Sequence, residues 1–386
     1  MRAGLWKPSP TLAMTARAKQ MSAEGVNVIS LAAGEPDFNT HPLVCEAANE
    51  AMNAGLTKYV PSKGLPALRA AIREKVKREN GFSCGDDQIV VSCGAKHSLF
   101  NAVMTLVNPG DEVILFAPYW MTYADQVILA GGVPIVVPTV ASEGYSPDMD
   151  ALKAAITNRT RAMIVNTPCN PTGGAWSRQA IKEVAALAIR HDIWIISDEI
   201  YEHLTYGHEH TSFASLSKDV ADQTVTILGC SKSYSMTGWR IGFSVSPPHV
   251  AGAMANLQDQ VTSNATSFAQ AGAVAALNLP SGEVERMRKT FASRRELGLK
   301  LLADVPGVKV QPPRGAFYFF VDVREYLTGS INTDLALAEK LLNEAHVATV
   351  PGSVFEGSGH LRLSYAASDE NISEGISRIS DCLRRM

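Results

Sequence analysis

One lysine lies in a segment whose residue types favour chemistry. Lys232 follows a short apolar run and has a serine on each side, and a second basic residue, Arg240, comes eight positions later. Gly229, Ser231 and Ser233 leave space around the amine for a flat, bulky ligand. Burial lowers the proton affinity of a lysine, so a buried amine can act as a nucleophile near neutral pH. The alternative is an exposed lysine in a polar turn, because lysine is seldom fully buried.

Three polar residues are predicted to follow strands. Asp198 closes the apolar run Ile-Trp-Ile-Ile-Ser, and Tyr201 comes three positions later. Asn170 stands in a turn rich in proline and glycine that follows another apolar run. By residue type alone, Asp198 could instead cap a helix, Tyr201 could be an ordinary packed tyrosine, and turn chemistry explains the residues around Asn170.

Two further segments could bind anions. Gly94, Ala95 and Lys96 follow a predicted strand and open a predicted helix, where free N–H groups and the helix dipole attract phosphate. Arg362 alternates with two leucines, so it projects from the opposite face of a strand, and its forked donors suit a carboxylate. A glycine before a helix and an arginine on an edge strand also occur without any ligand.

The elements that position these residues alternate between helix and strand. Predicted strands cover 26–31, 88–92, 112–116, 133–138, 161–166, 193–197, 224–229, 240–245, 308–310, 317–323, 347–350 and 361–365. Predicted helices cover 11–23, 42–54, 65–78, 95–107, 122–130, 148–156, 177–190, 248–260, 283–304, 333–345 and a last helix from 369. The alternation predicts an α/β fold, with a mostly parallel sheet covered by helices on both faces and a smaller α+β domain. In such sheets, ligands collect at the carboxyl ends of the strands.

The chain is long enough for more than one domain. Its 386 residues suggest an N-terminal arm that completes part of the small domain (1–40), a large domain (41–280) and a small C-terminal domain (281–386). With 35 basic and 38 acidic residues, the formal charge of −3 argues against binding to nucleic acid or to a membrane surface. The six cysteines form no CxxC pair, which favours reduced thiols over disulfides or a metal site. We expect a cytoplasmic protein with no metal.

The segment S-K-S-Y-S-M-T-G-W-R-I-G (231–242) resembles the lysine segment of the class I aminotransferases, fold type I enzymes that use pyridoxal 5'-phosphate. Seven other motifs occur in the order typical of that family: A-G-E-P-D-F, Y-x-P-S-K-G, G-A-K, P-Y-W, N-P-T-G, D-E-I-Y and R-L-S. The resemblance therefore extends over essentially the whole chain.

The resemblance assigns a role to each candidate residue. It implies that Lys232 binds the cofactor covalently, that Asp198 pairs with the ring nitrogen and that Tyr201 and Asn170 contact the ring oxygen O3'. The residues that it places around the phosphate and ring are Gly94, Ala95, Lys96, Trp120, Ser231, Arg240 and, from a second subunit, Tyr59. Those that it places around the substrate are Gly34, Lys96, Trp120, Asn170 and Arg362.

Two segments of the chain match the family pattern less completely. Ser263 and Asn264 resemble a family segment near the partner's site, but Ala265 stands where relatives commonly have proline. Gly229 stands where some members carry a phosphate-binding serine, a role that Ser231 could take over.

The expected function is amino-group transfer between an L-amino acid and a 2-oxo acid such as 2-oxoglutarate. The aspartate- and prephenate-using branch, which the chain most resembles, has a lysine at the position of Lys96 facing the distal carboxylate of the substrate. Together with the polar residues Ser9 and Thr11, Lys96 favours a dicarboxylic substrate: aspartate, glutamate, or prephenate/arogenate. The match at Tyr59 implies a homodimer.

The same residues are also compatible with other functions. The same cofactor scaffold could catalyse β-elimination or act as a cyclising synthase, because all of these reactions use its electron sink. A regulatory domain that binds the cofactor would follow a DNA-binding helix-turn-helix, and we expect none here. The spacing Tyr59-x-x-x-Lys63 also occurs in short-chain dehydrogenases, but the chain contains no GxGxxG nucleotide turn.

Overall fold

The computed structural model of the protein describes residues 10–386, apart from the side chains of residues 10–13 and 15. In chain order the strands are β1 (Ile29–Ser30), β2 (Ile89–Ser92), β3 (Glu112–Ala117), β4 (Val133–Val140), β5 (Ser146–Pro147), β6 (Thr160–Asn166), β7 (Trp194–Asp198), β8 (Thr224–Gly229), β9 (Gly242–Val245), β10 (Lys309–Val310), β11 (Tyr318–Asp322), β12 (Val347–Ala348), β13 (Val350–Pro351) and β14 (His360–Ser364). The helices are α1 (Pro10–Ala23), α2 (Pro42–Asn53), α3 (Pro66–Lys75), α4 (Ala95–Leu106), α5 (Thr122–Leu129), α6 (Met149–Ala155), α7 (Arg178–Arg190), α8 (Lys218–Ala221), α9 (Pro248–Val261), α10 (Ser267–Leu277), α11 (Ser281–Ala303), α12 (Asp334–Lys340) and α13 (Asp369–Leu383).

The largest sheet in residues 10–386 has eight strands in the order β2-β9-β8-β7-β6-β3-β4-β5. The central pairs, from β8 through β7, β6 and β3 to β4, are all parallel, whereas β9 and β5 run antiparallel to their neighbours. Strands such as β3 are buried over nearly their whole length, which explains their continuous apolar sequence. The carboxyl ends of β6, β7 and β8 therefore meet at one edge of the sheet.

Helices cover both faces of this sheet. On one face, Leu99 and Val103 of α4 pack with Met254 of α9. On the other, Ile181 and Val184 of α7 form a separate core. Each such fully buried side chain stabilises the fold by about 1.5–3 kcal/mol. The predicted α/β architecture, a mostly parallel sheet between two helical layers, is confirmed.

A second, antiparallel sheet has the order β10-β11-β14-β13, and β1 pairs with β12 in a two-stranded parallel ribbon. The predicted strand 347–350 is thus two short strands that belong to different sheets. The ribbon, the antiparallel sheet and helices α1, α11 and α13 share one core. The division of the chain at residues 40 and 280 stays a prediction.

Several predicted boundaries change in the structure. Arg240 was expected to begin a strand, but it has a φ of 56° in the preceding turn and β9 begins at Gly242. Helix α10 (Ser267–Leu277), which packs against α2, was not predicted. None of the helices within residues 10–386 is long and apolar enough to cross a membrane.

Candidate active site

A cavity of about 460 Å³ lies at the carboxyl ends of the central strands. It is lined by Ala32, Ala33, Gly34, Glu35, Ala95, Lys96, Trp120, Tyr123, Asn166, Asn170, Asp198, Ile200, Tyr201, Ser231, Lys232, Thr237, Arg240 and Arg362. The structure therefore brings together most of the predicted site residues, which are separated by up to 328 positions in the chain (362 − 34).

Lys232 lies in the turn after β8, where its side chain is only partly exposed and faces the cavity. Its amine donates a hydrogen bond to the Gly34 carbonyl oxygen and lies 5.9 Å from the ring centre of Tyr201. Burial lowers the pKa of this amine to about 8, although the nearby Glu35 carboxylate acts in the opposite direction. About a tenth of such amines are neutral at pH 7, so Lys232 can act as a nucleophile or as a base.

Asp198 ends β7 and is 3% exposed. Its carboxylate accepts hydrogen bonds from the Tyr123 hydroxyl at 2.7 Å and from the Ile200 amide at 3.2 Å. Burial raises the pKa of this carboxyl group to about 6, against the effect of the Tyr123 hydrogen bond. A buried carboxylate in a cavity is suited to a cationic group of a ligand, because such a group would replace the lost hydration.

Arg362 lies on β14 and is 2% exposed. One guanidinium nitrogen donates to Asn170 Oδ1 at 2.8 Å and another to the Ala32 carbonyl at 2.9 Å, while Nε has no hydrogen-bond partner among the described residues 10–386. The backbone N–H of Asn170 in turn donates a hydrogen bond to Asn166 Oδ1 at 2.9 Å, which fixes the turn after β6. A buried cation with free donor capacity is suited to a carboxylate.

Arg240 and the start of α4 form the opposite end of the cavity. A Cβ atom at Gly94, which has a φ of 88°, would lie 2.6 Å from a guanidinium nitrogen of Arg240, so only glycine leaves room for this contact. Arg240 also donates to the Thr237 carbonyl at 2.9 Å. A guanidinium beside the first amides of a helix, at Ala95 and Lys96, is an anion-binding arrangement.

Lys96 and Trp120 form a contact at the rim of this cavity. The Lys96 amine lies 4.7 Å from the centre of the Trp120 ring. The Lys96 side chain is exposed overall, but it is partly shielded from water. This desolvation and the charge of Arg240 lower the pKa of Lys96. A cation over an aromatic face remains available to a second anion.

The structure does not place every predicted residue in the cavity. Tyr59 is 90% exposed and does not line the cavity of its own chain. Asn264 lies near Tyr59 in the chain fold, where its Oδ1 atom accepts a hydrogen bond from the Val60 amide at 3.4 Å. Ser9 and the side chain of Thr11 lie outside the part of the chain that the structure describes. A Cβ atom at Gly229 would lie 3.1 Å from the Gly242 Cα atom, so strands β8 and β9 leave little room for a side chain at this position.

Sequence reasoning missed several residues in or next to the site, and three of them hold predicted site residues in place. Tyr123 holds Asp198, and Asn166 links the Asp198 carbonyl (2.9 Å) to the Asn170 turn. Tyr318, on β11, contacts Tyr201 beneath the cavity. Their signal was faint: Tyr123 follows P-Y-W by three positions, Asn166 is the last residue of its strand, and Tyr318 has no polar neighbour in the sequence.

Comparison with known proteins gives consistent results. A family model described as "Aminotransferase class I and II" matches residues 26–379. The chain is 47% identical to an aspartate aminotransferase of a Bacillus species over 96% of this chain and 95% of that protein. It is 45% identical to a probable aspartate/prephenate aminotransferase of Aquifex aeolicus over 98% of this chain and 97% of that protein. The solved structure of Thermus thermophilus aspartate aminotransferase with maleate matches with a TM-score of 0.93 and 41% identity, over 99% of this chain and 98% of that one.

Proposed function

This chain belongs to the class I and II aminotransferases and moves an amino group between an amino acid and a 2-oxo acid, and we propose that it does so with pyridoxal 5'-phosphate bound through Lys232. The observation that carries this proposal is the pairing, in one cavity, of an amine whose pKa is lowered to about 8 with a buried carboxyl group whose pKa is raised to about 6. When bound, the cofactor supplies an electron-withdrawing ring that stabilises the negative charge left when the substrate α-carbon loses its proton.

The residues of the cavity fit this cofactor. Arg240 and the first residues of α4, Ala95 and Lys96, line the cavity, and a guanidinium beside the start of a helix suits the phosphate. Asp198 would hold a proton on the ring nitrogen. Burial raises the pKa of the Tyr201 phenol well above its ordinary value, so it remains a donor to the ring oxygen at neutral pH. Trp120 supplies an aromatic face for the ring.

Further residues of the chain would complete the cofactor site. Ser231 and the amides of Ala95 and Lys96 would bind the phosphate together with Arg240, and Asn170 would contact the ring oxygen together with Tyr201. These positions line the same cavity as Lys232. We propose them as cofactor ligands.

Lys232 is the group that would move protons. Its Nζ atom exchanges a proton near neutral pH, because its pKa is about 8. As a base, Nζ would take the proton from the α-carbon of the substrate, and as an acid it would give that proton back, while the cofactor would supply the electron-withdrawing ring. Gly34, whose carbonyl accepts the Lys232 hydrogen bond, would lie over the substrate.

The substrate would be held at two ends. Arg362, aligned by Asn170, would bind the α-carboxylate, because its guanidinium is buried and its Nε donor is unpaired in the part of the chain that the structure describes. Lys96, over Trp120, binds a distal carboxylate. This arrangement favours aspartate, glutamate or prephenate/arogenate as donors and 2-oxoglutarate as an acceptor, and the names of the relatives point the same way.

We also propose a homodimer that acts in the cytoplasm. Tyr59 is 90% exposed, and exposed apolar side chains lie on the neighbouring elements at Leu43, Met52 and Val261. A second copy would cover this surface and receive Tyr59 near its own phosphate site. The division into a large domain (41–280) and a small domain (281–386, with 1–40) belongs to the same proposal.

Replacement of Lys232 by alanine tests the cofactor assignment. Because Lys232→Ala removes both the covalent link and the base, we expect transamination to fall by about 1,000-fold or more and the visible absorbance of the bound cofactor to disappear. The control is Lys153→Ala, at an exposed lysine on α6. Normal turnover by Lys232→Ala would refute the assignment.

Replacement of Lys96 tests the substrate class. In Lys96→Ala, we expect kcat/KM for aspartate and glutamate to fall by about 10- to 100-fold, because one charge-assisted contact is lost, while kcat/KM for alanine is unchanged. The same panel of donors is run on the wild type and on Lys153→Ala. An unchanged preference for acidic donors in Lys96→Ala would contradict the role of Lys96 but not the cofactor assignment.

A further inference from the structure

Tyr318 contacts two residues that line the cavity, Tyr201 and Arg362, although it does not line the cavity itself. The side chain is fully buried on β11. Its hydroxyl lies 2.9 Å from the Tyr201 hydroxyl, and its ring centre lies 4.5 Å from the guanidinium carbon of Arg362. A Cβ atom at Gly34 would lie 3.7 Å from the same hydroxyl, so the segment over the cavity also packs on Tyr318.

The sheet explains why Tyr318 and Arg362 meet. Strands β11 and β14 are antiparallel and pair Tyr318 with Ser364 and Phe320 with Arg362. Tyr318 and Arg362 are therefore diagonal neighbours on one face of the sheet, within reach of long side chains. Tyr201 comes from the loop after β7 in the other sheet, so the contact between the two hydroxyls spans the two sheets.

Two aromatic rings pack against the guanidinium of Arg362, in addition to its hydrogen bonds to Asn170 and Ala32. Within residues 10–386 it has no carboxylate partner, and the rings of Tyr318 and Phe355 lie 4.5 Å and 5.1 Å from its central carbon. Ring faces attract a cation, and the attraction is strongest where water is excluded. The two rings thus restrict the plane in which Arg362 presents its donors.

The hydroxyl of Tyr318 has a different effect. In the part of the chain that the structure describes, Tyr201 is its one hydrogen-bond partner. A phenol has a single proton, so when Tyr201 donates that proton to a ligand in the cavity, its oxygen accepts from Tyr318. A donor behind the phenol makes the phenol a stronger donor towards the cavity.

We propose that Tyr318 is a positioning residue with two separable actions: its ring orients Arg362 for the carboxylate of the substrate, and its hydroxyl orients and strengthens Tyr201 as a donor to the cofactor. The inference rests on the proposed function, in which Arg362 and Tyr201 have these roles. Tyr318 itself touches neither the substrate nor the cofactor.

Two substitutions separate the actions. Tyr318→Phe keeps the ring and removes the hydroxyl, whereas Tyr318→Leu removes both. Phe355→Leu tests the ring action without altering Tyr318, and so covers the case in which Tyr318→Leu does not fold. The matched control is Tyr365→Phe, at a fully buried tyrosine of the same core whose hydroxyl donates to the Ala316 carbonyl at 3.2 Å.

The ring action is measured by the binding of succinate, a dicarboxylate without an amine, to the cofactor-loaded protein by calorimetry. We expect Kd to rise by about 5- to 30-fold in Tyr318→Leu and in Phe355→Leu, and to stay at the wild-type value in Tyr318→Phe and in Tyr365→Phe. An unchanged Kd in both leucine variants would overturn the ring action.

The hydroxyl action is measured by the pH dependence of the visible absorbance of the bound cofactor. We expect the midpoint to move upward by about 0.3–1 pH unit in Tyr318→Phe, because a weaker donor at Tyr201 favours protonation of the cofactor, and to stay unchanged in Tyr365→Phe. An unchanged midpoint in Tyr318→Phe would overturn the hydroxyl action. Absence of any cofactor absorbance in the wild type would instead refute the proposed function.

Discussion

Two buried cations of this protein, Lys75 and Arg362, have opposite surroundings. Lys75, at the end of α3, is 1% exposed; its amine donates to Asn80 Oδ1 at 2.7 Å and forms ion pairs with Glu202 and, at 3.5 Å, with Glu79. Arg362 is as deeply buried, at 2% exposed, yet within residues 10–386 it has no carboxylate partner and its Nε has no acceptor.

The difference teaches how to tell a structural charge from a functional one. Removing a charge from water is costly, and only a partner inside the protein or a ligand can offset the cost. At Lys75 the chain supplies that partner, and Lys75 with His203 keeps the pKa of Glu202 below its ordinary value although burial acts the other way. At Arg362 the described residues 10–386 supply no carboxylate, which supports the proposed role of Arg362 in binding the carboxylate of the substrate.

Loss of the paired cation has the largest expected effect on stability. In Lys75→Met, Glu202 would remain buried without its partner, so we expect the free energy of unfolding to fall by about 3–5 kcal/mol, measured by urea titration of the cofactor-free protein. Because Lys75 does not line the cavity, kcat/KM per folded molecule should stay within about threefold of the wild type.

The control is Lys77→Met, at an exposed lysine two positions later, for which we expect a change within about 0.5 kcal/mol. Adding Glu202→Gln to Lys75→Met should restore part of the lost stability, because it removes the uncompensated charge. If Lys75→Met were as stable as the wild type, Lys75 would not be the structural member of the comparison.

Loss of the unpaired cation, Arg362, should reduce activity and leave stability intact. In Arg362→Met, we expect kcat/KM to fall by about 30- to 1,000-fold for both the amino acid and the 2-oxo acid. This change corresponds to a loss of about 2–4 kcal/mol of transition-state stabilisation. The free energy of unfolding of the cofactor-free protein should be unchanged or higher, because a buried charge has been replaced by an apolar side chain.

Steady-state kinetics and urea titration of the same preparation measure both quantities. Arg190→Met, at an exposed arginine that ends α7, is the control and should alter neither. A loss of stability in Arg362→Met as large as that in Lys75→Met would erase the distinction between the two sites.

Asp198 extends the comparison to a buried acid, with the smallest expected effect. Its folded-state pKa is about 6, whereas an ordinary aspartate has a pKa of 3.8. Between pH 4 and pH 6 the Asp198 carboxyl group of the folded cofactor-free protein therefore holds a proton that the unfolded chain has released, and the contribution of Asp198 to stability decreases as pH rises through this window. The difference of about two pKa units corresponds to about 2–3 kcal/mol.

Asp198→Asn should remove this decrease, which is measured as the difference in free energy of unfolding between pH 4 and pH 6. Asp150→Asn, at an exposed carboxylate on α6, should keep it. An identical pH dependence in the wild type and in Asp198→Asn would show that the carboxyl group is not desolvated.

Much of the site could be predicted from local sequence. An apolar run precedes each of Lys232, Asp198, Asn170 and the helix start at Gly94. The first three line the cavity at the carboxyl ends of the strands, and Gly94 lies next to Arg240, which also lines the cavity. The residues that hold them could not be predicted in this way. The Tyr123 hydroxyl meets Asp198 across 75 positions, and Tyr318 meets Tyr201 across 117, so no local pattern indicates either contact.

The sequence by itself determined the α/β architecture, the positions of the chemically active residue types and, through eight ordered motifs, the resemblance to the family, because periodicity and motifs are local properties of the chain. Only the tertiary structure decided which buried charges are paired. Lys75 contacts the Glu202 carboxylate 127 positions away, whereas Arg362 contacts the neutral side chain of Asn170 192 positions away. Charge pairing depends on distance in space, which folding sets and the order of residues along the chain does not display.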